Sequence, residues 1–141
     1  MCGSDPHLKK KKPKVSFHLT IEQDFIQCDP QEKQITVINI SQENQSKRIF
    51  GFDDIFLPSS TQSEIFEETG QKLVNYVMEG YNGTILAYGQ TGSGKTYTMM
   101  GYETDEKIGL IPRCFELILS MAQSTSKKDY LVMCSYIEIY N

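Results

Sequence analysis

The sequence predicts an α/β fold, and three observations carry that reading. Alternating and β-branched stretches around 15–21 and 35–40 read as strands. Apolar residues at helical spacing over 61–79 read as an amphipathic helix. A glycine-rich loop at 89–94 separates a short apolar run from a segment without a helix breaker, the local order of strand, turn and helix in a layered domain.

Taken in order, Val15, Phe17, Leu19 and Ile21 alternate with polar residues, as in a half-buried strand. Ile35-Thr36-Val37-Ile38-Asn39-Ile40 is a β-branched strand, and residues 41–46 form a polar, hairpin-like link to Arg48-Ile49-Phe50-Gly51-Phe52. Pro58-Ser59-Ser60 breaks the pattern. The helix over 61–79 starts at Ser60 or Thr61, with Glu64 at the capping-box distance from Thr61. Its apolar side is Ile65, Phe66, Leu73, Val74, Val77 and Met78, and Gly80 stands where a left-handed C-cap belongs. That side is read as packing on the parent sheet rather than as a dock for a partner helix. Thr84-Ile85-Leu86-Ala87-Tyr88 follows an Asn82-Gly83 turn and reads as a short buried strand. Residues 102–107 are a polar loop. Pro112 opens a helix over 113–123 bearing Phe115, Leu117, Ile118 and Met121, and residues 130–140 read as a strand covered on both faces.

Composition sets outer bounds. The 141 residues suit one domain, and 39% hydrophobic content with eight Tyr and seven Phe allows a core. No apolar run approaches the roughly 20 residues that span a bilayer, and no apolar leader follows Met1, so a cytosolic chain is expected. The cysteines at 2, 28, 114 and 134 are too dispersed for a metal clip; Cys114 and Cys134 fall in apolar segments and read as small core residues. The sequons at Asn39, Asn44 and Asn82 carry no weight in such a chain. Net charge is −4, divided between +4 over residues 1–14 and −8 over the remainder. The acidic body argues against nucleic-acid binding. The run Lys9-Lys10-Lys11-Lys12-Pro13-Lys14 reads as a solvated tail, with contact to an acidic polymer and nuclear import as alternatives.

The chemistry sits at Gly89-Gln90-Thr91-Gly92-Ser93-Gly94-Lys95-Thr96, which matches G-x-x-x-x-G-K-[ST], the phosphate-binding P-loop. Chance alone gives this pattern in about one in a few hundred chains of this length. Gly89, Gly92 and Gly94 let the backbone turn its N–H groups around an anion. Lys95 offers a point charge to the terminal phosphates, the Thr96 hydroxyl can ligate Mg²⁺, and the helix that follows adds its positive end.

The residues around the loop narrow the reading. Glu79-Gly80-Tyr81-Asn82-Gly83-Thr84-Ile85-Leu86-Ala87-Tyr88-Gly89, continuing through the loop to Tyr97-Thr98-Met99, resembles the kinesin motor domain. So do Phe52-Asp53-Asp54-Ile55-Phe56, Gly109-Leu110-Ile111-Pro112-Arg113 and Ser135-Tyr136-Ile137-Glu138-Ile139-Tyr140-Asn141, in the family's order. The resemblance covers roughly 35–141 and implies a P-loop NTPase of kinesin type. Its central mixed β-sheet, flanked by helices, would be present only in part. With the charge pattern giving a basic disordered tail over 1–14, the resemblance makes residues 15–141 a partial motor domain. ATP and Mg²⁺ are the implied cofactors, with Thr96 as metal ligand and Tyr97, in the position of the family's base-contacting aromatic or His, against adenine; from the residues alone Tyr97 reads almost as readily as a core tyrosine.

Other parts of the family's machinery are missing from the sequence. Hydrolysis needs groups that hold Mg²⁺ through water and place the attacking water. Kinesins take these from Asn-x-x-Ser-Ser-Arg and Asp-x-x-Gly motifs, neither of which occurs here, so no catalytic residue is assigned. Of the carboxylates after the loop (Glu103, Asp105, Glu106, Glu116, Asp129 and Glu138) none ends an apolar strand, and Glu138 reads as structural. The family's Arg-x-Arg-Pro adenine motif is also absent. In kinesins the strand before the loop lies between two strands from the later half of the domain. Without them, residues 84–88 would expose unpaired backbone on both sides. The expectation is therefore the ATP-binding part of a microtubule motor in the cytoplasm. Microtubules would bind through later parts of the domain, and a homodimer could form through regions not present. The alternative is a truncated, non-catalytic motor fragment with weak or no nucleotide binding.

Overall fold

A computed structural model describes residues 16–18, 25–40, 45–102, 105–124 and 129–139. The lysine run, Cys2, and Leu19 and Ile21 of the first expected strand lie outside them. The chain divides into two compact units, residues 1–60 and 61–141.

All paired strands belong to the first unit. β1 (Ser16–His18) pairs in parallel with β5 (Asp54–Phe56), with Phe17 opposite Ile55. β2 (Ile26–Asp29), β3 (Gln34–Ile40) and β4 (Gln45–Gly51) form an antiparallel meander in which Ile35 faces Cys28 on one side and Phe50 on the other. The β2–β3 turn is closed by its own sequence. Asp29 Oδ1 accepts from the N–H groups of Gln31 and Glu32, both at 3.0 Å, and Lys33 takes a left-handed φ of 53°. Lys33 then reaches Asp54 Oδ1 at 2.7 Å. Ile35, Ile38 and Phe56 are the buried apolar residues of this unit, while Ile49 and Phe50 stay exposed.

The second unit is helical. α1 (Gln62–Ile65) begins with the expected capping box: Thr61 Oγ1 accepts from the Glu64 N–H at 3.2 Å, and Glu64 Oε2 accepts from the Thr61 N–H at 2.7 Å. The expected single helix is interrupted by a π-helical turn over Phe66–Gly70 before α2 (Gln71–Met78). Two features account for the interruption. Thr69 Oγ1 donates to the Ile65 carbonyl at 2.5 Å and competes there with the backbone, and the Gln71 N–H bonds back five residues to Phe66. Gly70 is buried where a Cβ would stand 2.8 Å from the Phe66 ring and 3.1 Å from Cys114 Sγ, so the turn lets the helix that carries Cys114 approach closely.

α2 ends in a Schellman motif on Gly80, whose φ is 102°. The Gly80 N–H donates to Val77 at 2.9 Å and the Tyr81 N–H to Tyr76 at 3.1 Å, with the two tyrosine rings edge to face at 6.4 Å. α3 (Lys95–Met99) follows the glycine loop. α4 (Leu110–Ser124) starts before Pro112, which sits in the first turn, where its missing N–H removes no helical bond. Ile65, Gly70, Val74 and Leu110 make the buried centre.

Two expected strands are not formed. Residues 81–89 and 129–139 have no ladder partner among the described residues. Leu86 and Tyr88 are 83% and 95% exposed, and Leu131, Met133, Tyr136, Ile137 and Ile139 are exposed as well. Apolar, β-prone composition makes a strand only when a neighbour accepts and donates its backbone bonds. Cys134, expected in the core, is accordingly exposed. Of the expected central mixed sheet flanked by helices, present only in part, a small antiparallel sheet and one parallel strand pair are formed among the described residues, a partial match to that expectation. No helix among them is long and apolar enough to cross a membrane.

Candidate functional site

The loop at 89–94 owes its shape to its glycines. Gly92 and Gly94 have φ of 81° and 84°, the left-handed region where a Cβ costs about 1–2 kcal/mol. Between them the Ser93 N–H donates to Gln90 at 3.2 Å and closes the turn. At Gly89, whose φ is 154°, a Cβ would stand 2.5 Å from Ser93 Oγ and 3.2 Å from Ser93 Cβ, so a side chain there would displace the Ser93 hydroxyl.

Lys95, the first residue of α3, folds back over this turn. Its Nζ donates to the carbonyls of Gly89 at 2.8 Å and Gln90 at 2.6 Å. The ammonium is thereby fixed at the mouth of the loop.

No side chain caps α3, whose N-cap is left-handed Gly94. By helix geometry the N–H groups of Lys95, Thr96 and Tyr97 have no acceptor within the helix. The first that does is that of Thr98, which donates to Gly94 at 2.8 Å. The contrast is with α1, where Thr61 and Glu64 fill the same need. Ser93 Oγ is buried without a partner. The left-handed glycines, the uncapped helix start and the orphaned hydroxyl leave donors without acceptors, beside a positive charge that two carbonyls hold in place. That set fits a multiply charged anion such as a polyphosphate, and the exposed Thr96 follows directly.

The sequence-assigned residues from Gly89 to Thr96 thus lie in one continuous turn, with Lys95 tied to Gly89 and Gln90. Tyr97 is half-buried, its ring 5.5 Å from that of Tyr102 at 52°. Its carbonyl accepts from Gln62 Nε2 at 2.7 Å. Gln62 was not singled out by the sequence reading. The signal for it is a polar residue three and four positions before Ile65 and Phe66, on the apolar side of its helix. Thr61, Ser63, Glu106 and Arg113 line an open cleft of about 560 Å³, in which Arg113 Nε donates to the Ile108 carbonyl at 2.9 Å. Among the described residues no cluster of three or more His, Cys, Asp or Glu could hold a metal ion.

Residues 8–141 match the family model of the kinesin motor domain. The chain belongs to the kinesin motor domain family. The P-loop NTPase fold follows from that membership. Kinesin-like protein klp-20 of Caenorhabditis elegans is 42% identical over 118 residues, 82% of this chain and 18% of that protein. Kinesin-like protein KIF3C of Bos taurus is 46% identical over 94 residues, 66% of this chain and 12% of that protein. Kinesin-like protein 3 of Schizosaccharomyces pombe is 53% identical over 93 residues, 64% of this chain and 17% of that protein. The chain therefore spans less than a fifth of the length of these curated relatives.

Proposed function

We propose that this kinesin chain supplies the ATP-binding part of a microtubule motor, with Gly89, Gln90, Thr91, Gly92, Ser93, Gly94, Lys95 and Thr96 holding the phosphates of Mg·ATP. The observation that carries the reading is the uncapped, left-handed start of α3, with the Lys95 ammonium fixed above it by two carbonyls. The backbone N–H groups at the start of α3 surround the anion, and Lys95 exchanges its carbonyl partners for terminal phosphate oxygens. The Thr96 hydroxyl ligates the metal, and Tyr97 lies against the base with Tyr102 behind it. When bound, Mg·ATP supplies the phosphoanhydride whose cleavage drives a motor.

The relatives are kinesin-like proteins by name, which supports movement along microtubules and a place on the cytoplasmic microtubule cytoskeleton. Residues 1–14 form a basic tail on the motor domain in this reading. Residues 84–88 and 130–139 join a central mixed sheet once other strands of a motor domain pair with them. To these 141 residues we assign binding and not turnover, because the switch motifs do not occur among them. Phosphate release from Mg·ATP, measured with and without microtubules, tests that assignment. The chain by itself should show no microtubule-stimulated release. Stimulated turnover would show that the groups needed for hydrolysis lie within this sequence.

A further inference from the structure

We propose that Gln62 is a positioning residue for the phosphate loop, acting as a remote clamp on the helix that carries Lys95 and Thr96. The inference rests on the reading of residues 89–96 as a nucleotide site and adds to it a residue outside the motif.

α3 has five residues, too few to hold a helix by its own backbone bonds. Its ladder also ends irregularly. The N–H of Gly101 would continue the pattern by bonding to the Tyr97 carbonyl. It bonds instead to Thr96 at 3.3 Å, as does the N–H of Met100 at 2.8 Å, because Gly101 turns the chain with a φ of 72°. The Tyr97 carbonyl is left over, and Gln62 Nε2 takes it at 2.7 Å. Gln62 is 3% exposed and stands at the first position of α1, whose own start is locked by the Thr61–Glu64 box. The clamp thus joins a well-capped helix to a weak one.

The amide is not there for burial. Its Oε1 is buried without a partner, so the side chain is kept at a cost to folding that an apolar residue of similar shape would not carry. A buried side chain that leaves one polar atom unpaired and spends its other on the loop helix fits a role in holding the loop better than one in filling the core.

The test compares wild type with Gln62→Met, which removes both the donor and the unpaired oxygen at nearly constant volume. The two measurements are the thermal midpoint without nucleotide and the affinity for Mg·ATP. The expected result is a midpoint near that of wild type, relief of the unpaired Oε1 offsetting the bond lost at the Tyr97 carbonyl, together with about a tenfold loss of affinity. Unchanged affinity, with wild type binding normally, overturns the clamp alone. So does a midpoint and affinity that fall together, since Gln62 then serves only the fold. Absence of Mg·ATP binding by folded wild type overturns the nucleotide reading itself, and the clamp with it. Amide exchange in wild type gives a check that needs no variant. The Thr98 and Met100 amides should be protected to the same degree as that of Ile65. Free exchange in α3 beside a protected α1 contradicts the clamp.

Discussion

The Lys95 ammonium donates to the carbonyl of Gly89 at 2.8 Å, so the last fixed cation of the loop is tied to its first residue. With the bonds from Lys95 Nζ and the Ser93 N–H to Gln90, this bond holds the two ends of the turn together, and Ser93 crowds Gly89 from within. A Cβ on Gly89 would press on Ser93 Oγ at 2.5 Å and shift the carbonyl that Lys95 uses. Gly89→Ala should therefore weaken Mg·ATP binding about tenfold or more while leaving the helical unit folded. Calorimetric titration beside the far-ultraviolet dichroism spectrum checks both halves of that statement.

The backbone crosses itself at Gly101 and Gly109. The Gly109 N–H donates to Met100 at 3.0 Å and the Tyr102 N–H to Lys107 at 2.9 Å. A Cβ on Gly109 would fall 2.6 Å from the Met100 carbonyl carbon and 2.7 Å from the Gly101 nitrogen, both main-chain atoms that cannot step aside. Gly109→Ala should cost about 1–3 kcal/mol, seen as a lower thermal midpoint. A midpoint equal to wild type would show that this crossing does not hold the start of α4.

Burial pushes the Cys114 thiol above its ordinary pKa of 9.0. The folded chain then keeps a proton that the unfolded chain gives up. The contribution to stability is present below pH 9.0 and is lost as pH rises through that value toward the folded pKa. Between pH 8 and 10 wild type should lose more thermal stability than Cys114→Ala. Cys134, being exposed, should react with a thiol reagent well before Cys114. Equal rates for the two would contradict the packing of Cys114 against the π-helical turn.

What the sequence made legible was local chemistry. Thr61 with Glu64, Gly80 as a C-cap and the glycines of the loop each meet a need within a few residues, and each is found as read. The π-helical turn at 66–70 was not legible, because it depends on a Thr69 hydroxyl competing with the backbone and on Cys114, distant in sequence, packing at Gly70. The strands expected at 84–88 and 130–140 are unpaired over their described residues for the converse reason, an outcome expected for 84–88 from the sequence. Their composition suits a buried sheet, but a strand is a relation between segments, and no described segment pairs with either. Gln62 stands on the apolar side of its helix, but its bond to the Tyr97 carbonyl, 35 residues on, has no sequence signature.

The central claim is that the loop holds nucleotide phosphates through Lys95. The most direct measurement is Mg·ATP affinity of wild type against Lys95→Ala, with folding of both verified. Removing the ammonium deletes the charge aimed at the phosphates and the two bonds to Gly89 and Gln90. Wild type should bind and the variant should lose at least about a hundredfold in affinity. Equal affinity for the two proteins would contradict the assignment of this loop as the nucleotide site.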